Sequence, residues 1–349
     1  MVQLALLGCA HIHTPGFVRN LIKRQDVKLF KVWDPNPRRC QKWAAEAGAV
    51  VVTDPAEILK DKTIGGVIIC SETGRHQELV KEAAKARKAM FVEKPLGMVA
   101  KDACAMARVI QKADVLFSTG YFMRGLAANL FIKQEIEKGT FGKVTRVRAS
   151  NCHCGALGDW FKARPEQPAE DWRWMADPAL SGVGAFGDLG THSLDIMLWL
   201  MGEVEMATAT IATGIKRYEN KDASGNATFC DETGEGLMRF KNGTIGTLAA
   251  AWDDVANPVS LLVSGTEAHA AVINGKVYFK CDKLGIKDDE PYTQLPPAMP
   301  AGFDAWVNAV AGIPDQNLVT AGEAAYRSAV MEAMYEGHRK NKWVAPRTI

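Results

Sequence analysis

Three residues of types that move protons and hold charge set the chemistry open to this 349-residue chain: Lys94, Asp188 and His192. Taking a hydride from a carbinol carbon requires removal of the hydroxyl proton, and a base titrating near neutrality does that best, which singles out His192. Asp188 lies four residues earlier, so if the segment opens a helix the two side chains share a face and can bond to each other or meet a ligand together. Lys94 follows an apolar run and precedes Pro95, which steers its backbone away from helix; its ammonium is expected at the carboxyl edge of a sheet, where a cation stabilises a developing alkoxide. Each residue has a plainer reading, Asp188 as a helix cap, His192 on a solvated helix face and Lys94 as a surface lysine. The chemistry needs all three together.

The elements that would position them follow from the hydropathy pattern. Residues 3–7 are apolar and end at Gly8, and 14–24 carry apolar residues at helical spacing. Strands are then predicted over 27–33, 49–52, 66–70, 89–92 and 116–119, alternating with helices over 40–47, 55–60, 77–86 and 96–113. That alternation argues for βαβ units and a parallel sheet. After residue 120 the texture changes. A helix over 126–138 and a strand over 144–151 precede a long aromatic stretch, 155–187, whose length points to function and whose Trp and Phe content argues against disorder. Segments 206–212, 235–240, 246–253, 260–264, 269–273 and 276–279 alternate like antiparallel strands, with hairpin turns at 241–243 and 274–275, and helices over 302–311 and 320–340 close the chain. The expected fold is α/β: a doubly wound parallel sheet over 1–120, then an α+β domain over 121–349 with a large, mostly antiparallel open sheet.

The first βα turn of such a sheet is where a pyrophosphate meets backbone N–H groups and the positive end of a helix. Here it reads Gly8-Cys9-Ala10-His11-Ile12-His13, a Gly-x-Gly-x-x-Gly fingerprint that keeps its first glycine and places Ala10 and His13 at the others. His13 is read as a residue at the helix start facing solvent or a cleft. Asp34, ending the second strand, can accept bonds from an adenosine ribose and would repel a 2′-phosphate, favouring NAD over NADP, although Asp-Pro-Asn-Pro is also ordinary turn chemistry. Arg38 or Arg39 would serve a 2′-phosphate in the opposite case.

The chain is 47% hydrophobic and 23% charged with a formal net charge of +2, which leaves no electrostatic footprint for nucleic acid. No apolar stretch approaches the roughly 18–20 residues that span a bilayer, and residues 1–8 read as a strand rather than a signal peptide, so a cytoplasmic protein is expected. Eight scattered cysteines fit a reduced state, and Cys152-His153-Cys154 matches no standard zinc spacing, so no metal is expected.

Two segments carry a specific resemblance: Phe91-Val92-Glu93-Lys94-Pro95-Leu96 and Gly187-Asp188-Leu189-Gly190-Thr191-His192-Ser193-Leu194-Asp195. With the opening turn, residues 70–76, Trp172-Arg173, the strands from Asp231-Glu232 to Trp252 and the closing helices, they make the whole chain resemble the Gfo/Idh/MocA oxidoreductases. The resemblance implies a relay in which Lys94 and Asp188 act with His192, and NAD held by Gly8, Ala10, His11, Ile12, His13, Asp34, Ser71, Glu72, His76, Glu93 and Lys94. Within it Glu93 orients Lys94 or the nicotinamide ribose, His76 is mainly structural, and Asp195 supports from behind or charges a helix start. Ser71 and Glu72 replace the Thr-Pro that the family often shows, and Phe122 and Met123 replace polar residues, leaving Tyr121 and Arg124 as substrate contacts beside Asp188 and His192.

Trp160, Phe161, Trp172 and Trp174, with Arg164, Asp171 and Arg173, combine apolar faces with polar groups and suit a sugar, cyclitol or glycoside; the competing reading is an interdomain or subunit contact. Substrate contacts are thus expected from Tyr121, Arg124, Trp160, Trp172, Arg173, Asp188 and His192. Three functions fit: an NAD-dependent dehydrogenase of a secondary hydroxyl; an NAD-retaining redox glycoside hydrolase or lyase of the same family; and a non-catalytic NAD-binding regulator. The open sheet and the family resemblance imply a homodimer or homotetramer.

Overall fold

A computed structural model describes residues 1–348, Pro168 by its backbone only. The first sheet has six strands, β1 (Val2–Cys9), β2 (Val27–Trp33), β3 (Val50–Val51), β4 (Ile64–Cys70), β5 (Ala89–Val92) and β6 (Phe117–Thr119), in the order β3-β2-β1-β4-β5-β6. Every pairing is parallel. A central strand of such a sheet is covered on both faces, which is why β1 is a continuous apolar run rather than an alternating one. Leu4 and Leu6 enter one core with Val18 and Trp43, whereas Ala5 and Leu7 enter the opposite core with Val67 and Val80.

The second sheet has seven strands. β7 (Val144–Cys152), β8 (Val204–Ala212), β11 (Thr233–Phe240), β12 (Ile245–Ala251), β13 (Ser260–Gly265), β14 (Ala268–Ile273) and β15 (Lys276–Cys281) run in the order β15-β14-β13-β7-β12-β11-β8. Between β8 and β11 lies a ribbon of β9 (Asn220–Lys221) and β10 (Ala227–Thr228) that hydropathy does not mark. The expected antiparallel order holds except at the centre, where β7 and β12 pair in parallel. One face of the sheet packs Val147, Met238 and Leu248 against Leu194 and Met197 of helix Gly190–Met201.

The two sheets divide near residue 120, but the end of the chain crosses back. Phe303, Trp306 and Val307 of helix Phe303–Val310 join the core of the first sheet. The last helix, Ala321–Lys340, opens with a capping box between Thr320 and Glu323. Its first turns put Ala321, Ala324 and Ala325 into the other core of that sheet, and its middle puts Val330, Met331 and Met334 against the second sheet. One helix therefore braces both domains. Among the described residues, no helix is long and apolar enough to cross a membrane.

Candidate active site at the interdomain cleft

The first βα turn closes because Gly8 takes φ +90, where a Cβ would lie 2.6 Å from that of Ser71. The next residues carry the turn into helix Thr14–Ile22, whose first turn no side chain caps. Its positive end is thus available to an anion. Asp34 is buried at the tip of β2, where its carboxylate accepts from Cys9 N at 2.6 Å, Asn36 N at 2.8 Å and Arg39 Nε at 2.8 Å. Burial raises the carboxyl, with Arg39 opposing. Arg39 also donates to Glu72 at 3.0 Å, so Asp34 and Glu72 are linked across the mouth of the sheet. The buried Ser71 donates to the Glu72 carbonyl. Ala10 is buried, and its carbonyl accepts from Trp174 Nε1 at 3.0 Å, a contact by which the 155–187 segment reaches over the turn.

Glu93 and Lys94 follow β5. The Lys94 ammonium, almost wholly buried, meets Asp188 Oδ1 at 2.6 Å and the Asp188 carbonyl at 3.2 Å. Asp188 ends the short helix Ala185–Asp188 and His192 lies in the first turn of helix Gly190–Met201. Of the two arrangements open to the pair, a direct Asp188–His192 bond is absent from the hydrogen bonds of the described residues, because the aspartate is taken by Lys94. His192 Nδ1 is buried with no protein partner. Burial would raise the Asp188 carboxyl, yet Lys94 overrides it and holds it below its ordinary value. Burial, then Lys94 and His13, push the His192 imidazole far below its ordinary value, so it is neutral at physiological pH.

His13 borders the cleft and is anchored on its inner side: its Nδ1–H donates to Glu93 Oε1 at 3.0 Å, and its backbone N–H donates to His11 Nδ1 at 3.2 Å. Glu93 Oε2 accepts from Lys94 N, and a Cβ on Gly120 would approach that oxygen to 2.9 Å, so glycine is what lets the loop after β6 pass over the carboxylate. Burial opposes ionisation of Glu93, but His11, His13 and Lys94 outweigh it and hold the carboxyl low. Beside them, Ile12, His13, Gly16, Phe17, Gly120 and Phe303 line a cavity of about 380 Å³. His76 stands as expected, buried at its helix start, with Nδ1–H donating to the Leu96 carbonyl at 3.2 Å and so bracing the turn that carries Lys94.

Other expected contacts lie elsewhere. Tyr121 is 1% exposed and bonds Thr191 Oγ1 at 2.9 Å, joining the domains rather than lining the cleft. Arg124 is 2% exposed and grips both oxygens of Asp195, with Glu323 as a further partner; Arg327 bonds the same aspartate. Its guanidinium is fully engaged. Arg173 donates to the carbonyls of Ala176 and Glu219. Phe161 and Trp174 pack with Trp252 in a small core, so the packing reading holds for them, while Trp160 is 41% exposed and Trp172 half-buried. One residue with no catalytic reading from sequence joins the site. His153, just past β7, is pushed down by burial while Asp188 pulls it up and Lys94 down, and its ring lies 4.5 Å from that of Trp160. Its position at a strand end was the available signal.

Residues 2–121 match an oxidoreductase family model described as an NAD-binding Rossmann fold, and residues 130–271 match the Gfo/Idh/MocA C-terminal domain. The myo-inositol 2-dehydrogenase of Thermotoga maritima is 27% identical over 256 residues, covering 71% of this chain and 67% of that protein. The levoglucosan dehydrogenase of Pseudarthrobacter phenanthrenivorans is 26% identical over 249 residues, covering 67% and 60%. The chain thus aligns with about two thirds or less of these relatives. The solved structure of a levoglucosan dehydrogenase in complex with NADH and L-sorbose superposes with a TM-score of 0.82 at 18% identity, covering 99% of each chain, which shows a shared fold. This chain belongs to the Gfo/Idh/MocA family of oxidoreductases and carries that family's NAD-binding Rossmann domain.

Proposed function

We propose that the protein is an NAD-dependent dehydrogenase acting on a secondary hydroxyl of a sugar, cyclitol or glycoside, with Lys94, Asp188 and His192 as its catalytic residues. The observation that carries this reading is the buried Lys94–Asp188 pair joining the domains at 2.6 Å beside an unpartnered His192 Nδ1. The residues suit the dinucleotide: the turn from Gly8 to His13 and the uncapped helix end offer a cradle for pyrophosphate, and Asp34 with its Arg39 and Glu72 partners lies where the adenosine ribose would bind. Ser71, His76 and Glu93 frame the nicotinamide end. The nicotinamide, when bound, supplies a hydride acceptor or donor.

The protein's own groups handle the proton. A neutral His192 offers Nε2, the ring nitrogen that is not buried, as an acceptor for the substrate hydroxyl proton, and the nearby ammonium disfavours its retention on the ring. Lys94 Nζ, with two of its N–H bonds on Asp188, offers the third to the substrate oxygen and stabilises negative charge there. Asp188 keeps Lys94 aimed. Trp160, Trp172 and His153 offer aromatic faces for the apolar side of a ring.

A second reading, in which NAD stays bound while transient oxidation leads to cleavage of a glycosidic bond, is favoured by the Trp174–Ala10 bond, which ties the second domain over the phosphate turn. One experiment separates the two: a panel of cyclitols, aldoses and glycosides, following nicotinamide reduction and aglycone release together. Reduction with a cyclitol or aldose supports the dehydrogenase; aglycone release without net reduction supports the second reading. Neither signal across the panel would sink both.

A further inference from the structure

The buried carboxylate of Glu93 has no cation of its own. Its chain neighbour Lys94 turns its ammonium to Asp188, and among the described residues no arginine donates to Glu93. Instead Oε1 faces two imidazoles, with His13 Nδ1 at 3.0 Å and His11 Nδ1 at 3.9 Å. The two rings are 4.6 Å apart and cross at 62° rather than stacking. One ligand atom from each residue falls within 4.8 Å of the others, and this is the only such group of three among the described residues.

From this geometry we infer that His11, His13 and Glu93 form a binding site for one divalent transition-metal cation of the zinc class, on the cofactor-domain side of the cleft beside Lys94. Two imidazoles and one carboxylate are a ligand set that such ions use when a fourth position stays open, and metal–ligand bonds of about 2.0–2.1 Å place tetrahedral ligand atoms about 3.4 Å apart. The observed 3.0 and 3.9 Å straddle that spacing. His13 borders the 380 Å³ cavity, which gives an ion a way in and leaves room for a fourth, oxygen ligand.

Binding rearranges two hydrogen bonds. His11 Nδ1 gives up the bond it accepts from His13 N, and the proton that His13 Nδ1 donates to Glu93 moves to His13 Nε2, so the ring stays neutral and ligates through Nδ1. A cation of charge +2 against one carboxylate leaves the site net positive, beside a Lys94–Asp188 pair that is neutral overall, which suits an anionic or alkoxide oxygen as the fourth ligand. The Cys152-His153-Cys154 cluster does not compete on geometry, since among the described residues it does not bring three ligand atoms within 4.8 Å of one another.

The test uses the full chain, dialysed against a chelator and titrated with Co²⁺, read by visible absorption and metal content. One equivalent per chain with the bands of four-coordinate Co²⁺ is expected. His13→Ala, at the cleft mouth, and Glu93→Gln, which keeps shape, should each weaken binding by at least about 100-fold, beyond the loss of an outer-shell partner, with circular dichroism unchanged. A Cys152→Ser/Cys154→Ser variant should bind as before. No saturable binding to the unaltered chain, binding that survives both His13→Ala and Glu93→Gln, or binding lost only with the cysteines would overturn the assignment.

Discussion

Lys94 and Asp188 are 94 residues apart in sequence, and their side chains meet at 2.6 Å across the boundary between the two domains. A buried ion pair of this kind contributes little net stability, because desolvation offsets most of the attraction; what it fixes is orientation. Here it points the ammonium to one place and keeps the aspartate from bonding His192, whose Nδ1 is left without a protein partner. The contact that joins the domains and the one that aims the ammonium are therefore the same bond.

Asp188→Asn tests this directly. The amide keeps the shape but removes the counter-charge, leaving a buried ammonium without compensation. Steady-state kinetics should show kcat/KM falling by about 100- to 10,000-fold, the span associated with losing a positioned acid–base group. Calorimetry should find NAD affinity close to that of the unaltered protein. A matching collapse of NAD binding would show that the pair holds the domain rather than the reaction.

Stability should fall with acid, starting near the ordinary histidine pKa. His11, His76 and His192 are all buried and depressed in the folded chain, His11 to about 3. Below 6.5 the unfolded chain takes up protons that the folded chain refuses, so folding stability is full above 6.5 and is lost as pH falls toward the folded values. Each such histidine contributes a slope of up to about 1.4 kcal/mol per pH unit within its window. Tm measured from pH 7.5 to 4.5 should decline throughout the lower half, and His11→Gln should flatten the slope. A Tm constant over that range would contradict the burial of these rings.

Arg124 separates a structural role from a substrate contact. With its guanidinium on Asp195 and Glu323, Arg124→Met removes one partner of a buried cluster and should cost about 3 kcal/mol in denaturant unfolding. Substrate KM should stay within about twofold, since no binding free energy is lost. A raised KM with unchanged stability would restore it to the substrate site.

Local patterns reached the first domain because a parallel sheet writes itself into the chain as apolar runs with helices between them. They failed where packing overrides local preference. The helix expected from residue 96 begins at Ala100, since Gly97 must sit against Ala103 and Met106 with no room for a side chain. The parallel β7–β12 pair is invisible because strand direction leaves no mark on hydropathy. The same limit applies at the site. Lys94, Asp188 and His192 could be named from residue types and motif resemblance. The turning of His13 toward Glu93, and of Tyr121 and Arg124 away from the cleft, depends on partners 80, 70 and 71 residues distant.

Trp174→Phe tests how freely the cofactor exchanges. Its indole N–H to the Ala10 carbonyl is a bond between the loop of one domain and the phosphate turn of the other, in a buried setting where the carbonyl has no other donor among the described hydrogen bonds. Such a bond is worth about 0.5–1.5 kcal/mol. If the loop must lift before the dinucleotide leaves, Trp174→Phe, which keeps the packing on Phe161 and Trp252 but removes the donor, should speed NADH release by about 2- to 12-fold, that energy expressed as a rate ratio. Stopped-flow displacement of NADH fluorescence measures it. An enzyme limited by cofactor release would then turn over faster with free NAD, while one that keeps its cofactor through the cycle would lose NAD on dialysis and fall silent until resupplied. An unchanged release rate would mean that the loop does not gate the cofactor, and the reading built on retained NAD would lose its structural support.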